Sequence, residues 1–128
     1  MVIKNTESDY WKAAKKGMEQ AVSDLNEYLG YKGDDAITCT IEGPKDENGV
    51  DEQVNILDMV LTENPVVVCL SAVDMSSCEA QLEAAQEDGI PVVMLDSGVE
   101  SDDDLVYAYC EQIIRRQAKR RQNSCVKR

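Results

Sequence analysis

Histidine is missing from this chain of 128 residues. Since histidine is the commonest general base and metal ligand in proteins, its absence narrows the mechanisms that the chain could support. The sequence also has no G-x-S-x-G motif or other visible nucleophile–base pair, no G-x-G-x-x-G and no phosphate-binding P-loop. We therefore expect no catalytic residue, no bound nucleotide or other cofactor, and no metal site.

The cysteines of this chain do not indicate a disulfide framework or a zinc site. The five cysteines, at positions 39, 69, 78, 110 and 125, form no C-x-x-C pair and lack the spacing of a zinc site. Their odd number argues against a disulfide framework, and Cys39 and Cys69 lie in apolar runs that predict small buried side chains.

No apolar run is long enough to span a bilayer. The first residues, MVIKNTES, lack the regions of a signal peptide, so we expect the chain to be cytoplasmic as expressed.

Charge is distributed very unevenly along the chain. The net charge is −12, but residues 1–109 hold 6 basic and 24 acidic residues, a net −18. Residues 110–128 hold 7 basic residues and 1 acidic residue, a net +6. The acidic part would repel a phosphate backbone, and only the basic end would attract one. The length is that of one domain, so we divide the chain into a domain at 1–109 and a basic tail at 110–128.

Three stretches have apolar residues at helical spacing and predict three helices. A glycine or an Asn-Pro pair follows each stripe, as is typical at helix ends, and the third stripe opens with the spacing of a capping box. The helices are Asp9–Leu29 ended by Gly30, 50–61 ended by Asn64 and Pro65, and a third opened by Ser76 and Glu79 and ended by Gly89.

Five apolar runs predict strands that alternate with these helices, at residues 1–4, 37–42, 66–70, 91–95 and 105–109. VVVCL and PVVML are continuous apolar runs, as expected for strands that are covered on both faces. The order is β-α-β-α-β-α-β-β, with a short acidic loop between the last two strands. Because crossovers between parallel strands are right-handed, we predict an α/β fold of a single lobe. It is an open, mostly parallel sheet with helices on both faces, a flavodoxin-like or Rossmann-like three-layer sandwich.

Open parallel sheets bind ligands beyond the carboxyl ends of their strands, which selects the loops NTESDYW, SAVDMSS and DSGVESDD. In the first loop, Tyr10 and Trp11 are adjacent at a helix start, so they face different directions and are not both expected in the core. Two interpretations stay open. Either one ring packs on the sheet and the other lies on the surface without a role, or the pair forms an aromatic platform at the mouth of a pocket.

Asp96 directly follows a predicted buried strand and precedes Ser97. A carboxylate there could accept two hydrogen bonds from vicinal hydroxyl groups of a ligand. An Asx-turn or a helix cap is the simpler interpretation of the local sequence alone. Asp74, followed by Ser76 and Ser77, predicts turn and cap chemistry rather than a site.

Three stretches, in this order, carry a resemblance to a known family: YWKAAKKGMEQAVSDL, DEQVNILDMVLTENPVVVCLSAVD and GIPVVMLDSGVESDDDLVYAY. They resemble the N-terminal lobe of sugar-type periplasmic binding proteins. This is the ribose-binding-like class that serves ABC transporters and shares its fold with lactose-repressor-type effector domains. The resemblance covers residues 1–109. Its most specific parts are the paired aromatics with a glycine six residues on, the helix of Gln53, and GIPVV-x-x-D.

By position, the resemblance implies a set of sugar-binding residues. Tyr10 and Trp11 match the aromatics that stack on a sugar ring, and Asp96 matches the carboxylate that binds hydroxyl groups. Many ribose-type members also have an arginine near this carboxylate, which is absent here. Three polar positions of the family would add hydroxyl contacts: Ser8, Ser71 and Ser97.

The resemblance also implies a function and partners. The parent protein would bind a sugar or a similar polyhydroxylated molecule without catalysis, dock on an ABC permease and act in uptake or sensing. It would be extracytoplasmic, either periplasmic or a cell-surface lipoprotein. Family members have two lobes that close on the ligand about a hinge, so one lobe alone should bind weakly. The face that the second lobe would cover could support self-association.

In the family, the strand that corresponds to LVYAY leads to the hinge and then to a sequence like G-T-D-N-x-x-A-G. Here the basic tail follows instead. One set of permitted codons for residues 111 onward can also be read in a shifted frame, which starts at the last base of the codon for residue 111. In that frame it translates as TDNKEAGKKAAELL. This resembles the missing motif and an alanine-rich helix. We therefore interpret the chain as truncated and frameshifted near Cys110, with 110–128 out of frame, and the coding DNA after Tyr109 would test this directly.

Two alternatives stay open at this point. The first is an acidic α/β domain with a genuine basic arm for nucleic acid, although the net charge of residues 1–109 opposes such binding. The second is a flavodoxin-like phosphoacceptor or enzyme domain that uses Asp74 or Asp96. That alternative would need an acidic cluster at the end of the first strand, where the sequence is Lys4, Asn5 and Thr6. We expect a binding protein rather than an enzyme, and no nucleic-acid partner.

Overall fold

The computed structural model describes residues 1–74, 76–96 and 103–110. Its centre is a parallel sheet with the strand order β1 (Val68–Leu70), β2 (Val92–Leu95) and β3 (Ala108–Cys110). The N-terminal segment extends this sheet, because Val2 makes parallel bridges to Leu70 on one side and to Glu42 on the other. The predicted open parallel sheet is confirmed.

Helices cover both faces of the sheet, as predicted. They are α1 (Asp9–Leu29), α2 (Val50–Thr62) and α3 (Glu79–Glu87), with short 3-10 turns at Gly33–Asp35 and Asp103–Leu105. Within the described ranges, no helix has the length and apolarity that a bilayer crossing requires.

Strand residues alternate between two hydrophobic clusters, one under each helical layer. Leu70 packs with Leu57 of α2 and Leu82 of α3, whereas its neighbour Cys69 packs against the cluster that contains Trp11 of α1. The sheet is therefore the middle layer, with α1 on one side and α2 and α3 on the other.

The two ends of α1 are determined by local chemistry. Ser8 is the N-cap, and its hydroxyl oxygen accepts a hydrogen bond from the backbone N–H of Trp11 at 3.3 Å. At the other end, Gly30 adopts the left-handed conformation with φ of 73°, which glycine accepts without a steric penalty. These ends confirm the helix that the sequence predicts from Asp9 to Leu29.

The strand predicted at 66–70 is shorter than its apolar run. Val66 and Val67 are 90% and 46% exposed, so the prediction that the whole run is covered on both faces is wrong. β1 begins at Val68, whose N–H donates to the carbonyl of Pro91 at 3.0 Å. The next bond of the parallel ladder would require an N–H on Pro91, and proline has none. The ladder therefore stops there.

Two other predicted strands also differ from the structure. In the run 37–42, only Glu42 forms a β-bridge, and the backbone N–H and C=O of Ile37 bond instead to the side chain of Asn26 on α1. The run 105–109 begins in a 3-10 turn, and its strand starts only at Ala108.

α3 does not begin with the predicted capping box. Its N-cap is Cys78, without a side-chain cap. Ser76 donates its hydroxyl and its backbone N–H to Oδ1 of Asp74 at 2.8 and 3.0 Å, and these bonds hold the pKa of that carboxyl below its usual range. Because a carboxylate is a strong acceptor, the serine is committed to this turn. The turn predicted at Asp74 is confirmed, and the capping box is wrong.

The described cysteines are free thiols, at positions 39, 69, 78 and 110. Cys39 and Cys69, which we expected to be buried, are half-buried, whereas Cys78 is completely buried. Burial raises the pKa of the Cys69 and Cys78 thiols, which lowers the thiolate fraction and with it their reactivity. These side chains fill space in the core.

Candidate functional site

The carboxyl ends of the parallel strands bring together residues that are distant in sequence. Lys4 follows the first strand segment (residues 1–3, joined to the sheet through Val2), Ser71 directly follows β1, and Asp96 directly follows β2. We call this line of three residues the carboxyl edge. The start of α1 lies beside it and contributes Tyr10.

Asp96 is the best-defined polar group of the carboxyl edge. Its backbone has a φ of 65°, in the left-handed region, and its N–H donates to the carbonyl of Cys110 at 3.0 Å. Its side chain is 42% exposed. The hydroxyl of Tyr10 donates to Oδ1 at 3.4 Å, and Nζ of Lys4 lies 3.8 Å from Oδ2. The backbone thus directs the carboxylate toward solvent between a phenol and an ammonium group.

The two adjacent aromatic residues have different environments. Tyr10 is 48% exposed, whereas Trp11 is 4% exposed and packs with Met1 and Ile3. The rings meet edge to face, with centroids 4.9 Å apart and planes at 87°. Partial desolvation and the neighbouring Asp96 raise the pKa of Tyr10. Of this pair, Tyr10 is therefore the residue that offers a ring to a ligand, and Trp11 supports that ring from the core.

The predicted serines differ in how their hydroxyl groups are used. Ser8 caps α1 through its oxygen, which leaves its hydroxyl proton available as a donor. Ser71 is completely buried, and its Oγ has no hydrogen-bond partner among the described residues. Ser97 lies outside the described residues. The structure thus brings Ser71 to the edge beside Asp96 and places Ser8 at the start of α1.

Lys4 is the residue that sequence reasoning did not select. Its side chain is 22% exposed and paired with Asp96 across the carboxyl edge. The signal was available, since Lys4 directly follows the first predicted strand, and strand ends are where ligands bind. The predicted ligand loop began one residue too late, at Asn5.

A carboxylate, an ammonium group and a phenol in this arrangement can bind hydroxyl groups. The carboxylate accepts hydrogen bonds, the ammonium donates them and the phenol can do both. The distances of 3.4 and 3.8 Å are long for hydrogen bonds, so ligand hydroxyls could replace these contacts at little cost. In the described part of the chain, no three acidic or cysteine side chains are grouped so that they could hold a metal ion.

A separate open depression of about 440 Å³ lies at the opposite edge of the sheet. It is lined by the residues before and at the start of β2 and β3, including Pro91 and Tyr107. None of the predicted site residues lines it. Since ligands of open parallel sheets bind at the carboxyl ends of strands, the carboxyl edge is the better candidate.

Comparison with known proteins gives the family of the chain. The family model of the periplasmic binding protein domain matches residues 1–112. The chain belongs to the periplasmic binding proteins. No curated protein matches it.

Several solved structures that are similar to this chain are sugar-binding or carbohydrate-transport proteins. A sugar-binding protein of an ABC transporter from Bacillus halodurans has a TM-score of 0.72 and 26% identity, over 88% of this chain and 34% of that chain. An ABC transporter solute-binding protein from Agrobacterium vitis, with bound D-fucose, has a TM-score of 0.69 and 25% identity, over 84% of this chain and 34% of that chain. A carbohydrate transporter solute-binding protein from Agrobacterium radiobacter, in complex with D-arabinose, has a TM-score of 0.71 and 21% identity, over 84% of this chain and 32% of that chain. This chain spans about a third of their lengths.

Proposed function

We propose that this chain supplies one side of a sugar-binding site in a solute-binding protein, and that it is not an enzyme. The observation that carries the proposal is the Asp96 carboxylate, which is held at the carboxyl edge between Tyr10 and Lys4. Family membership and the D-fucose in the relative from Agrobacterium vitis support a sugar as the ligand.

In the proposed complex, each group binds a different part of the ligand. Asp96 accepts hydrogen bonds from two neighbouring hydroxyls, and Lys4 donates to a ring or hydroxyl oxygen. The exposed ring of Tyr10 packs on the apolar face of the sugar. Trp11 was predicted to stack as well, but with 4% of its surface exposed it can contribute only an edge. The other polar positions that we propose for this side of the site are Ser8, Ser71 and Ser97. Ser71 is completely buried in this structure, so its hydroxyl would have to become exposed before it could reach a ligand.

A single lobe leaves most of such a ligand in solvent, and we propose that the chain alone binds weakly. Sites for small molecules normally enclose most of the ligand surface. The missing contacts would come from a second lobe that closes about a hinge. We expect a dissociation constant of about 1 mM or weaker for this chain, which corresponds to about 4 kcal/mol.

The setting of the whole protein is also a proposal. As a solute-binding protein of an ABC transporter, the parent would act outside the cytoplasm and deliver sugar to a permease. The domain would comprise residues 1–109, and the basic residues of 110–128 would be out-of-frame sequence without a role in binding. The surface that a second lobe covers in the parent would be free to self-associate in this chain.

An NMR titration of the full chain with D-fucose, L-rhamnose and D-arabinose would test the site. We expect amide signals near Lys4 and Asp96 to shift with at least one sugar, and Asp96→Asn to weaken binding by at least about tenfold through loss of charge-assisted hydrogen bonds. Asp88→Asn is the matched control, because Asp88 is an exposed carboxylate at the far end of α3.

Each outcome of this titration has a definite meaning. Equal affinities of wild type and Asp96→Asn would refute the role of the carboxylate. No sugar-dependent shift in the wild-type chain would refute the proposed function. Micromolar binding would refute the claim that the site is incomplete.

A further inference from the structure

Gln53 is a polar residue inside the hydrophobic layer, and no site residue is adjacent to it in sequence. It lies in the first turn of α2 and is 1% exposed. Burying an amide in an apolar layer is unfavourable unless its hydrogen-bonding groups find partners. Here they do, and the choice of partners is informative.

The amide of Gln53 bonds to three backbone groups. Nε2 donates to the carbonyls of Ile3 and Ser71 at 3.0 and 2.9 Å, and Oε1 accepts from the N–H of Val73 at 2.7 Å. Both donor positions of the amide are used, and its oxygen is also occupied. One side chain therefore connects three points on two neighbouring strands and the loop that follows β1.

These three points surround the carboxyl edge. Ile3 directly precedes Lys4, and Ser71 is itself a predicted ligand residue. Val73 lies in the loop after β1, one of the three loops in which ligand contacts are expected. The strands are joined to each other nearby, since the N–H of Ser71 donates to the carbonyl of Val2 at 2.9 Å. The amide of Gln53 continues this connection past the end of the ladder, where parallel pairing no longer fixes the spacing of the backbones.

We propose that Gln53 is a positioning residue of the sugar site. It sets the separation of Lys4 and Ser71 and fixes the loop at Val73, without touching the ligand. The inference rests on the proposed function, because it assigns Gln53 a role in that same site. An apolar side chain of similar volume could fill the layer, but it would leave the ends of the two strands free to move apart.

The test replaces Gln53 by methionine, which has similar length and no hydrogen-bonding groups. The matched control is Leu57→Ala, one turn along the same helix, where the side chain is 2% exposed and packs only in the core. Both changes lower stability, so urea unfolding gives the free energy of unfolding of each variant. If Gln53→Met does not fold, Gln53→Asn takes its place, because its shorter amide cannot reach all three partners.

Two measurements separate positioning from general stabilisation. In the absence of sugar, hydrogen exchange at the amide of Val73 should accelerate in Gln53→Met and remain slow in Leu57→Ala at comparable stability. With D-fucose, L-rhamnose or D-arabinose, whichever binds the wild type most tightly, Gln53→Met should bind about tenfold more weakly than the control, a factor that corresponds to about 1.4 kcal/mol.

Failure of the inference is distinguishable from failure of the proposed function. If the wild type binds sugar and the two variants show equal affinities, Gln53 is a structural residue only and the inference is wrong, while the sugar site stands. If the wild type shows no sugar-dependent shift, the proposed function is wrong and the inference falls with it.

Discussion

Substitution of Asp96 by alanine and by glycine should separate its backbone strain from its proposed role in binding. The residue has a φ of 65°, in the left-handed region that disfavours residues with a Cβ. Aspartate tolerates this region better than alanine does, and glycine adopts it freely. The two variants remove the same carboxylate and differ only in how well the backbone accepts the conformation.

The expected magnitudes follow from the contacts that are lost. The pair with Lys4 spans 3.8 Å between partly exposed side chains, and such pairs contribute about 0.5 kcal/mol or less. The bond from Tyr10 is long at 3.4 Å and exposed, so its contribution is also small. Alanine adds a left-handed strain of about 1–2 kcal/mol, which glycine avoids at the expense of a more flexible unfolded chain. We expect Asp96→Gly to be more stable than Asp96→Ala by about 1 kcal/mol.

Urea unfolding followed by tryptophan fluorescence would measure this difference. Trp11 is the single tryptophan of the chain and lies on the buried face of α1, so its emission reports on the folded state. Both variants should lose the NMR response to sugar equally. Equal stabilities would show that the left-handed backbone at position 96 is not a source of strain, and sugar binding by Asp96→Gly would show that the carboxylate is not a ligand.

Two further predictions concern a pair of glycines and a tyrosine. Gly43→Ala should destabilise the fold and disturb the first strand segment, because a Cβ there would meet the backbone of Ile3; circular dichroism melting would show it. Gly17→Ala, the control in open space within α1, should raise the melting temperature, since alanine is favoured by about 1 kcal/mol in a helix. Desolvation and Asp96 raise the pKa of Tyr10, so the folded state favours the protonated phenol. The resulting contribution to the free energy of unfolding is complete below a pH of about 10 and is lost as the pH rises through the higher pKa of the folded state. The pKa of Tyr10 can be measured by the absorbance of tyrosinate during a pH titration, with the titration of Tyr10→Phe subtracted to remove the other tyrosines. This pKa should be lower in Asp96→Asn than in the wild type, and an unchanged pKa would contradict the contact between Tyr10 and Asp96.

The sequence predicts those parts of the fold that depend on local signals. The bounds of α1 were predicted correctly because an apolar stripe and a terminal glycine, Gly30, act over one or two turns. The alternation of strands and helices was sufficient to predict a parallel sheet with two helical layers. In each case the relevant interactions lie within a few residues of one another, where a pattern in the sequence can register them.

Features that depend on a distant partner could not be predicted in the same way. The strand at 66–70 was overextended because its ladder is limited by Pro91, which directly precedes the neighbouring strand β2. The capping box failed because the Asp74 carboxylate competes for Ser76. At the site, the contact of Lys4 with Asp96 joins residues at the ends of different strands, so it exists only once the sheet has formed. The sequence shows which residues follow the predicted strands, but only the order and register of the strands in the folded sheet determine which of these residues come into contact.

Locally unfavourable features support the candidate site independently of the family. Two described non-glycine residues have positive φ, Asn64 and Asp96. Asn64 follows the end of α2, where asparagine in this conformation is an ordinary helix terminator, so it requires no functional explanation. Asp96 directly follows β2 rather than a helix, so helix termination does not explain its conformation.

Unpaired buried oxygens give a second indication of the same kind. They occur at Ser71 Oγ and at Oε1 of Gln81 on α3, so neither would identify a site alone. Gln81, however, retains a bond to Asp58 through its Nε2, whereas the hydroxyl of Ser71 has no partner among the described residues. Strain at Asp96 and an unpaired hydroxyl at Ser71 coincide at the ends of the paired strands β1 and β2. Since folding alone favours neither feature, their coincidence at the carboxyl edge is what a binding site would produce there.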